Sequence, residues 1–209
     1  MFTILPFMEI IPIEKIDIHD IVDRLNKGET ILYPTETCYG LGCDAYNQES
    51  VTKIFKIKER DPNKPVLMLV HDVASIKPYL DWTSTMENLA QQYWPGPLTL
   101  VVRLKNNNHM FAPGVVGENQ TIAFRVTSHA FARSLCVGLG KPLVSTSANI
   151  AAMGESYDPQ GMIVMFRDHE PQPGILIDAG VLPKTQPSTI VRVDGDVVTV
   201  LRQGGIRVD

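Results

Sequence analysis

Short β-rich apolar runs, each broken by a polar turn or a helical stretch, constrain this chain most. Thr30–Tyr33, Val66–Val70, Leu98–Leu104, Thr121–Val126, Leu143–Ser145, Ile175–Asp178, Thr189–Val193 and Val197–Leu201 have strand length and strand composition. In the first two thirds they alternate with segments of helical spacing. Asp17 to Gly28 reads as a helix with Asp17 as N-cap and Gly28 just past its end. Ser50–Lys58, Ser84–Tyr93 and His129–Leu139 read as further helices. Ser84–Tyr93 stops at Trp94-Pro95-Gly96-Pro97, which cannot continue a helix, and His129–Leu139 closes at Gly140. Gly161–Arg167 reads as a short helix. Asp194-Gly195-Asp196 joins the last two strands as a hairpin turn. Asn106-Asn107-Asn108 is a polar loop, and residues 151–160, small and polar, read as a mobile loop. Helices alternating with strands, then hairpins, predict an α/β or α+β fold: one domain over 1–209, with helices against a mixed parallel and antiparallel sheet.

Composition narrows the function. The chain has 209 residues, 44% of them hydrophobic and 20% charged, an ordinary globular balance. A net charge of −4 argues against a surface devoted to nucleic acid, although it leaves room for a local basic patch. The three cysteines, Cys38, Cys43 and Cys136, are odd in number and form no CxxC pair, as expected of reduced thiols in the cytoplasm. No apolar run is long enough to span a membrane. Met1–Glu9 is apolar but has no basic n-region, and it reads as a first strand or packed arm rather than a signal peptide.

Five segments carry the chemistry. Tyr33–Leu41 contains Thr35 and Thr37 after a strand, with Gly40 and Gly42 where backbone can approach a ligand; alone it is equally a polar turn. Lys53, Lys56, Lys58, Arg60 and Lys64 cluster about a helix end, either as a solvated basic terminus or as a phosphate clamp. Thr121-Ile122-Ala123-Phe124-Arg125 sets Thr121 and Arg125 at opposite ends of a strand. Arg125 suits a carboxylate anchor or an edge-strand ion pair. Ser145-Thr146-Ser147-Ala148-Asn149 offers hydroxyls and amides to phosphate oxygens, or is an ST-turn. Pro187-Ser188-Thr189 and Arg202 sit at ends of neighbouring β-segments. There is no G-x-x-x-x-G-K-[ST] loop. The histidines, His19, His71, His109, His129 and His169, lack ligand spacing, so no metal site is expected of them. Cys38 has no evident histidine partner and reads as a small buried residue; Trp94 and Phe111 read as core aromatics.

From about Asp20 to Ile206, these segments resemble in order and spacing the YrdC family, the threonylcarbamoyl-AMP synthases that serve threonylcarbamoyladenosine formation in tRNA. The resemblance implies a twisted mixed sheet around a deep, positively lined cleft. It implies condensation of L-threonine, bicarbonate and ATP into threonylcarbamoyl-AMP and pyrophosphate, with Mg²⁺ held mainly through the ATP phosphates. It implies that Thr35, Thr37, Arg125, Ser145 and Ser188 hold threonine. Lys58, Arg60, Lys64, Thr121, Ser147, Asn149, Ser156 and Arg202 would hold ATP, with Lys58 and Arg60 also offsetting charge on the leaving pyrophosphate. The product would pass to a threonylcarbamoyl-transferase complex, and tRNA or double-stranded RNA contact would fall at the basic cleft. Leu69 stands where some members carry a histidine near threonine. The competing readings are a YciO-like paralogue that binds nucleotide or RNA without synthase activity, and a pure RNA-binding module. The acidic net charge opposes the latter.

Overall fold

The computed structural model describes residues 8–105, 110–151 and 153–208. The expectations for residues 1–7, for the asparagine loop at 106–108, for His109 and for Ala152 lie outside the described residues.

Among the described residues ten strands form one sheet: β1 (Glu9–Pro12), β2 (Ile31–Pro34), β3 (Tyr39–Gly42), β4 (Leu67–Val70), β5 (Leu98–Arg103), β6 (Thr121–Val126), β7 (Leu143–Ser147), β8 (Ile175–Asp178), β9 (Thr189–Asp194) and β10 (Val197–Arg202). Their order across the sheet is β1-β8-β2-β3-β7-β4-β6-β5-β9-β10. The pairs β1–β8, β2–β8, β4–β6 and β5–β9 are parallel and the others antiparallel, so the sheet is mixed as the sequence predicts. Five α-helices accompany it: α1 (Ile18–Asn26), α2 (Gln48–Lys58), α3 (Ser84–Tyr93), α4 (Ala130–Leu139) and α5 (Pro159–Phe166).

The helix ends follow local chemistry. The Asp17 carboxylate accepts from His19 N at the start of α1, and Asn47 Oδ1 accepts from Ser50 N in the first turn of α2. α3 ends where Trp94 turns extended ahead of Pro95. α4 ends at Gly140, whose φ of 62° is left-handed and whose N–H returns to Cys136 O and Val137 O. α5 starts at Pro159, earlier than its apolar spacing predicts, because Asp158 caps it and proline suits a first helical turn.

The two sheet faces have different fates, and strand alternation assigns them. Leu32, Leu41, Met68, Val144, Phe124, Leu100 and Val191 join one core with Val51, Ile54 and Ile57 of α2, Met86 and Leu89 of α3, and Met162 and Phe166 of α5. The opposite phase, Ile31, Tyr33, Leu69, Leu143, Ile175 and Ile177, forms a second core beneath Ile21 and Leu25 of α1 and Leu135 and Leu139 of α4. Each such side chain, fully buried, is worth about 1.5–3 kcal/mol. α4 lies over β2, β4 and β7. Further across the same face, over β6, β5, β9 and the ends of β3 and β7, the sheet is left open as a cleft.

One element departs from expectation. β3 reads as turn in the sequence because Gly40 and Gly42 punctuate it, yet it pairs antiparallel with both β2 and β7. A Cβ at Gly42 would run into Val144 O and the Tyr33 ring, so that glycine serves strand packing and not approach to a ligand. Gly40 does border the cleft.

Candidate active site

The cleft has a volume of about 780 Å³, room for a nucleotide and a small co-substrate. Its floor is the polar phase of several strands. Thr121, Ala123 and Arg125 of β6 project into it, beside Thr99, Val101 and Arg103 of β5 and Ile190, Arg192 and Asp194 of β9. At about 3.3 Å per residue, Thr121 and Arg125 stand about 13 Å apart along one strand. Among the described residues five arginines line it, Arg60, Arg103, Arg125, Arg192 and Arg202, against three carboxylates, Glu118, Glu155 and Asp194. The lining is thus net positive in a chain that is net negative, the local patch that suits an anionic substrate.

At one end Thr35 organises the loop between β2 and β3. Its hydroxyl donates to Cys38 O at 2.7 Å, lies 3.1 Å from Thr37 Oγ1, and accepts from Thr37 N and Cys38 N. That is an ST-turn, so Thr35 shapes the pocket while Thr37 and Gly40 border the open space with it. Arg125 lies on an internal strand and is 4% exposed, which removes the edge-strand alternative. Its Nε is 3.1 Å from Glu36 Oε1, and its Nη2 donates to Thr37 Oγ1 at 3.4 Å. Ser145 borders the same end, against Tyr33 and Gly40.

The side near β10 is held by Arg202. Its Nε and Nη2 donate to Ser188 O at 3.1 and 2.7 Å, and Nη2 also reaches Ser188 Oγ at 3.0 Å. Thr99 Oγ1 donates to the same hydroxyl at 3.1 Å. Burial lowers the pKa of Arg202 from its ordinary value, and that of Arg60 too, but a guanidinium stays charged. Arg60 is anchored by the carbonyls of Lys64 (2.8 Å) and Pro65 (3.1 Å). The backbone of Lys64 thus aims Arg60, and the Lys64 side chain is not part of the lining.

Lys58 lies beneath the cleft and does not line it. It is 2% exposed, and Nζ donates to Ser147 O (2.5 Å), Asn149 O (2.7 Å) and Asn149 Oδ1 (3.1 Å), which uses all three ammonium protons. Burial, and next the Arg60 charge, lower its pKa to about 8, so it is still an ammonium at neutral pH. Asn149 Oδ1 also accepts from Ser147 Oγ at 2.5 Å, and its Nδ2 donates to Ile150 O and Met153 O. Lys58 therefore braces the turn that presents Ser147. Ser156 is likewise outside the lining, and its carbonyl accepts from Tyr39 N at 3.0 Å. Thr121 borders the cleft with its hydroxyl donated to Glu118 O at 2.8 Å.

Of the residues named from the sequence, Thr35, Thr37, Arg60, Thr121, Arg125, Ser145, Ser147, Ser188 and Arg202 meet at one cleft, and Lys58, Lys64, Asn149 and Ser156 support it. Sequence reasoning missed Glu36, Arg103 and Arg192. The alternation Ile190-Arg192-Asp194 in β9 was the available signal for Arg192, because these share a face. Burial pushes the Cys38 thiol up to about 11, so it is protonated and inert at neutral pH. Trp94 packs on Phe124 and Phe111 on Tyr46 and Tyr79 within the core. Leu69 is fully buried, opposite Arg125 on β6 and Leu143 on β7. Among the described residues no group of three His, Cys, Asp or Glu side chains could hold a metal ion, and no helix is long and apolar enough to cross a membrane.

The chain is 36% identical over 186 residues to a threonylcarbamoyl-AMP synthase of Vibrio cholerae, covering 88% of this chain and 95% of that one. It is 32% identical over 192 residues to a threonylcarbamoyl-AMP synthase of Aliivibrio fischeri, 90% of this chain and 99% of that one. The structure of P. abyssi Sua5 complexed with L-threonine superposes with a TM-score of 0.84 at 27% identity, covering 94% of this chain and 57% of that longer one. E. coli YciO shares the fold, with a TM-score of 0.78 at 23% identity over 95% of each chain. The family described as "Telomere recombination", that of the Sua5, YciO and YrdC proteins, matches residues 23–204, and the chain belongs to it.

Proposed function

We propose that this chain is an L-threonylcarbamoyladenylate synthase, a nucleotidyltransferase that makes threonylcarbamoyl-AMP and pyrophosphate from L-threonine, bicarbonate and ATP for tRNA modification. One observation carries the reading: a chain 36% identical to a named synthase has a single-sided cleft with a buried arginine and hydroxyls at one end and further arginines along it. Arg125 and Thr37 suit an amino-acid carboxylate. Arg60, Arg202, Thr121 and Ser147 suit a polyphosphate.

The chemistry asks for placement. Threonine's amine adds to bicarbonate with loss of water, giving a carbamate. A carbamate oxygen attacks the α-phosphorus in line, the bond to the β-phosphate oxygen breaks, and pyrophosphate leaves. Such transfers depend on positioning and charge neutralisation, with no need of a protein nucleophile. The inert Cys38 thiol agrees with that. Arg60 would offset charge on the departing pyrophosphate, and Lys58 would keep the Ser147–Asn149 turn in place. Because no group of metal-holding side chains gathers among the described residues, Mg²⁺ would come as an ion carried by the triphosphate, whose charge it would partly neutralise when bound. The product would be handed, in the cytoplasm, to the transferase that acts on tRNA.

The test is pyrophosphate release from ATP with L-threonine, bicarbonate and Mg²⁺ present and each omitted in turn. Release that needs all of them is the expected result. ATP binding without release would put the chain with the non-synthase paralogues.

A further inference from the structure

The Arg125 guanidinium is charged, almost wholly buried, and next to a carboxylate that does not border the cleft. Glu36 Oε1 stands 3.1 Å from Arg125 Nε, with side-chain exposures of 11% and 5%. The two atoms are close but out of line for a hydrogen bond, and among the described residues neither has another hydrogen-bond partner. The other oxygen, Glu36 Oε2, is fixed by Thr127 Oγ1 at 2.7 Å, and that hydroxyl accepts from His129 N at 3.2 Å. The backbone on either side of the Glu36–Thr37 peptide is tied down too, since Thr185 Oγ1 reaches Thr37 O at 2.8 Å and Glu36 O at 3.4 Å. Glu36 is therefore a rigid carboxylate set against the Nε side of Arg125, while Nη2 is directed to Thr37 at the cleft wall.

We propose that Glu36 is a positioning residue that fixes the Arg125 guanidinium for a substrate carboxylate. The inference rests on the reading above that Arg125 meets threonine's carboxylate. A guanidinium recognises a carboxylate through a planar fork, so its orientation decides the strength of the contact. With its Nε side held by Glu36, the Nη end is left for the ligand. Glu36 also lowers the net charge of the pair to zero, and removing it has two opposed effects. The field on an incoming carboxylate rises, but a buried guanidinium loses its partner and its fixed orientation. Losing one partner of a buried pair is the larger effect, so weaker threonine binding is the expected outcome.

The experiment measures threonine KM, ATP KM and kcat by pyrophosphate release, and threonine affinity by calorimetry, in wild type, Glu36→Gln, Thr127→Val, Arg125→Ala and the Glu36→Gln/Arg125→Ala double variant. Glu36→Gln should raise threonine KM about tenfold or more, with ATP KM within about twofold. Thr127→Val, which removes only the hydroxyl on Glu36, should act in the same direction and more weakly. The Glu36→Gln effect should vanish when Arg125 is already alanine. Equal ATP and threonine losses would mark a merely structural role and overturn the proposal. So would an unchanged or lowered threonine KM, or an effect that persists without Arg125. If Glu36→Gln does not fold, Thr127→Val decides by the same criteria. Absence of threonine binding to the wild-type chain would instead overturn the synthase reading, and the inference with it.

Discussion

At the scale of single residues, burial makes Lys58 and Arg125 unusual, and each is compensated differently. Arg125 has a carboxylate beside it, whereas Lys58 has three carbonyl oxygens. The Lys58 pKa is lowered to about 8 from 10.5, chiefly by burial. The folded chain therefore releases this proton at lower pH than the unfolded chain does. Between those two values the unfolded state binds more protons, so the Lys58 contribution to stability rises with pH through that window. Urea midpoints at about pH 7 and about pH 9.5 should show this contribution as a difference between wild type and Lys58→Met, with the wild type gaining more on the alkaline side. Equal pH dependence in both would show that Lys58 does not titrate there. The residue types at this site were legible in the sequence, because hydroxyls and cations after apolar strands stand out. Their division of labour was not. Lys58 and Arg60 are two residues apart in the chain, yet one turns to the oxygens of Ser147 and Asn149 and the other borders the cleft, since α2 ends between them with Glu59 at a φ of 49°.

At the scale of elements, local signals place the ends of α3 and α4, but not the start of α5, where the Asp158 cap and Pro159 extend the helix beyond its apolar spacing. Gly140 ends α4 with a left-handed φ of 62°, and no atom of the described residues lies within 4 Å of a Cβ built there. Its requirement is therefore conformational alone. Gly140→Ala should cost about 1–2 kcal/mol of stability, read by thermal or urea unfolding, with pyrophosphate release unchanged because no described residue of α4 lines the cleft. Loss of activity at full stability would mean that the α4 end reaches the site. β3 shows the limit of local signals. Glycines at alternate positions look like a turn, and only the approach of Val144 O and the Tyr33 ring makes Gly42 a strand requirement. Glu36 escaped notice for a similar reason. Its partners Arg125 and Thr127 are about ninety residues on, and nothing near it in sequence marks it as buried.

At the scale of the whole molecule, one sheet carries a core on each side, and one of those sides is half covered. An anionic ligand seated among the arginines should stabilise the fold as a unit. ATP with Mg²⁺ at about 100 times its Kd should add about 2.7 kcal/mol, visible as a thermal shift in wild type. Arg60→Ala should reduce that shift at the same ATP concentration and slow pyrophosphate release about 100-fold. A full shift and full rate in the variant would remove Arg60 from the phosphate site. The inventory is legible along the chain: the helices, most strands, a mixed sheet, and the segments that meet at the cleft. These are set by side-chain spacing and local backbone preference, which act over a few residues. Tertiary structure alone decided the strand order, with β7 inserted between β3 and β4, and which phase of each strand faces the open half of the sheet. It also decided that Arg103 and Arg192 join the lining while Lys58 withdraws beneath it. Burial and charge pairing depend on residues far apart in the chain, and packing them into one sheet is what brings them into contact.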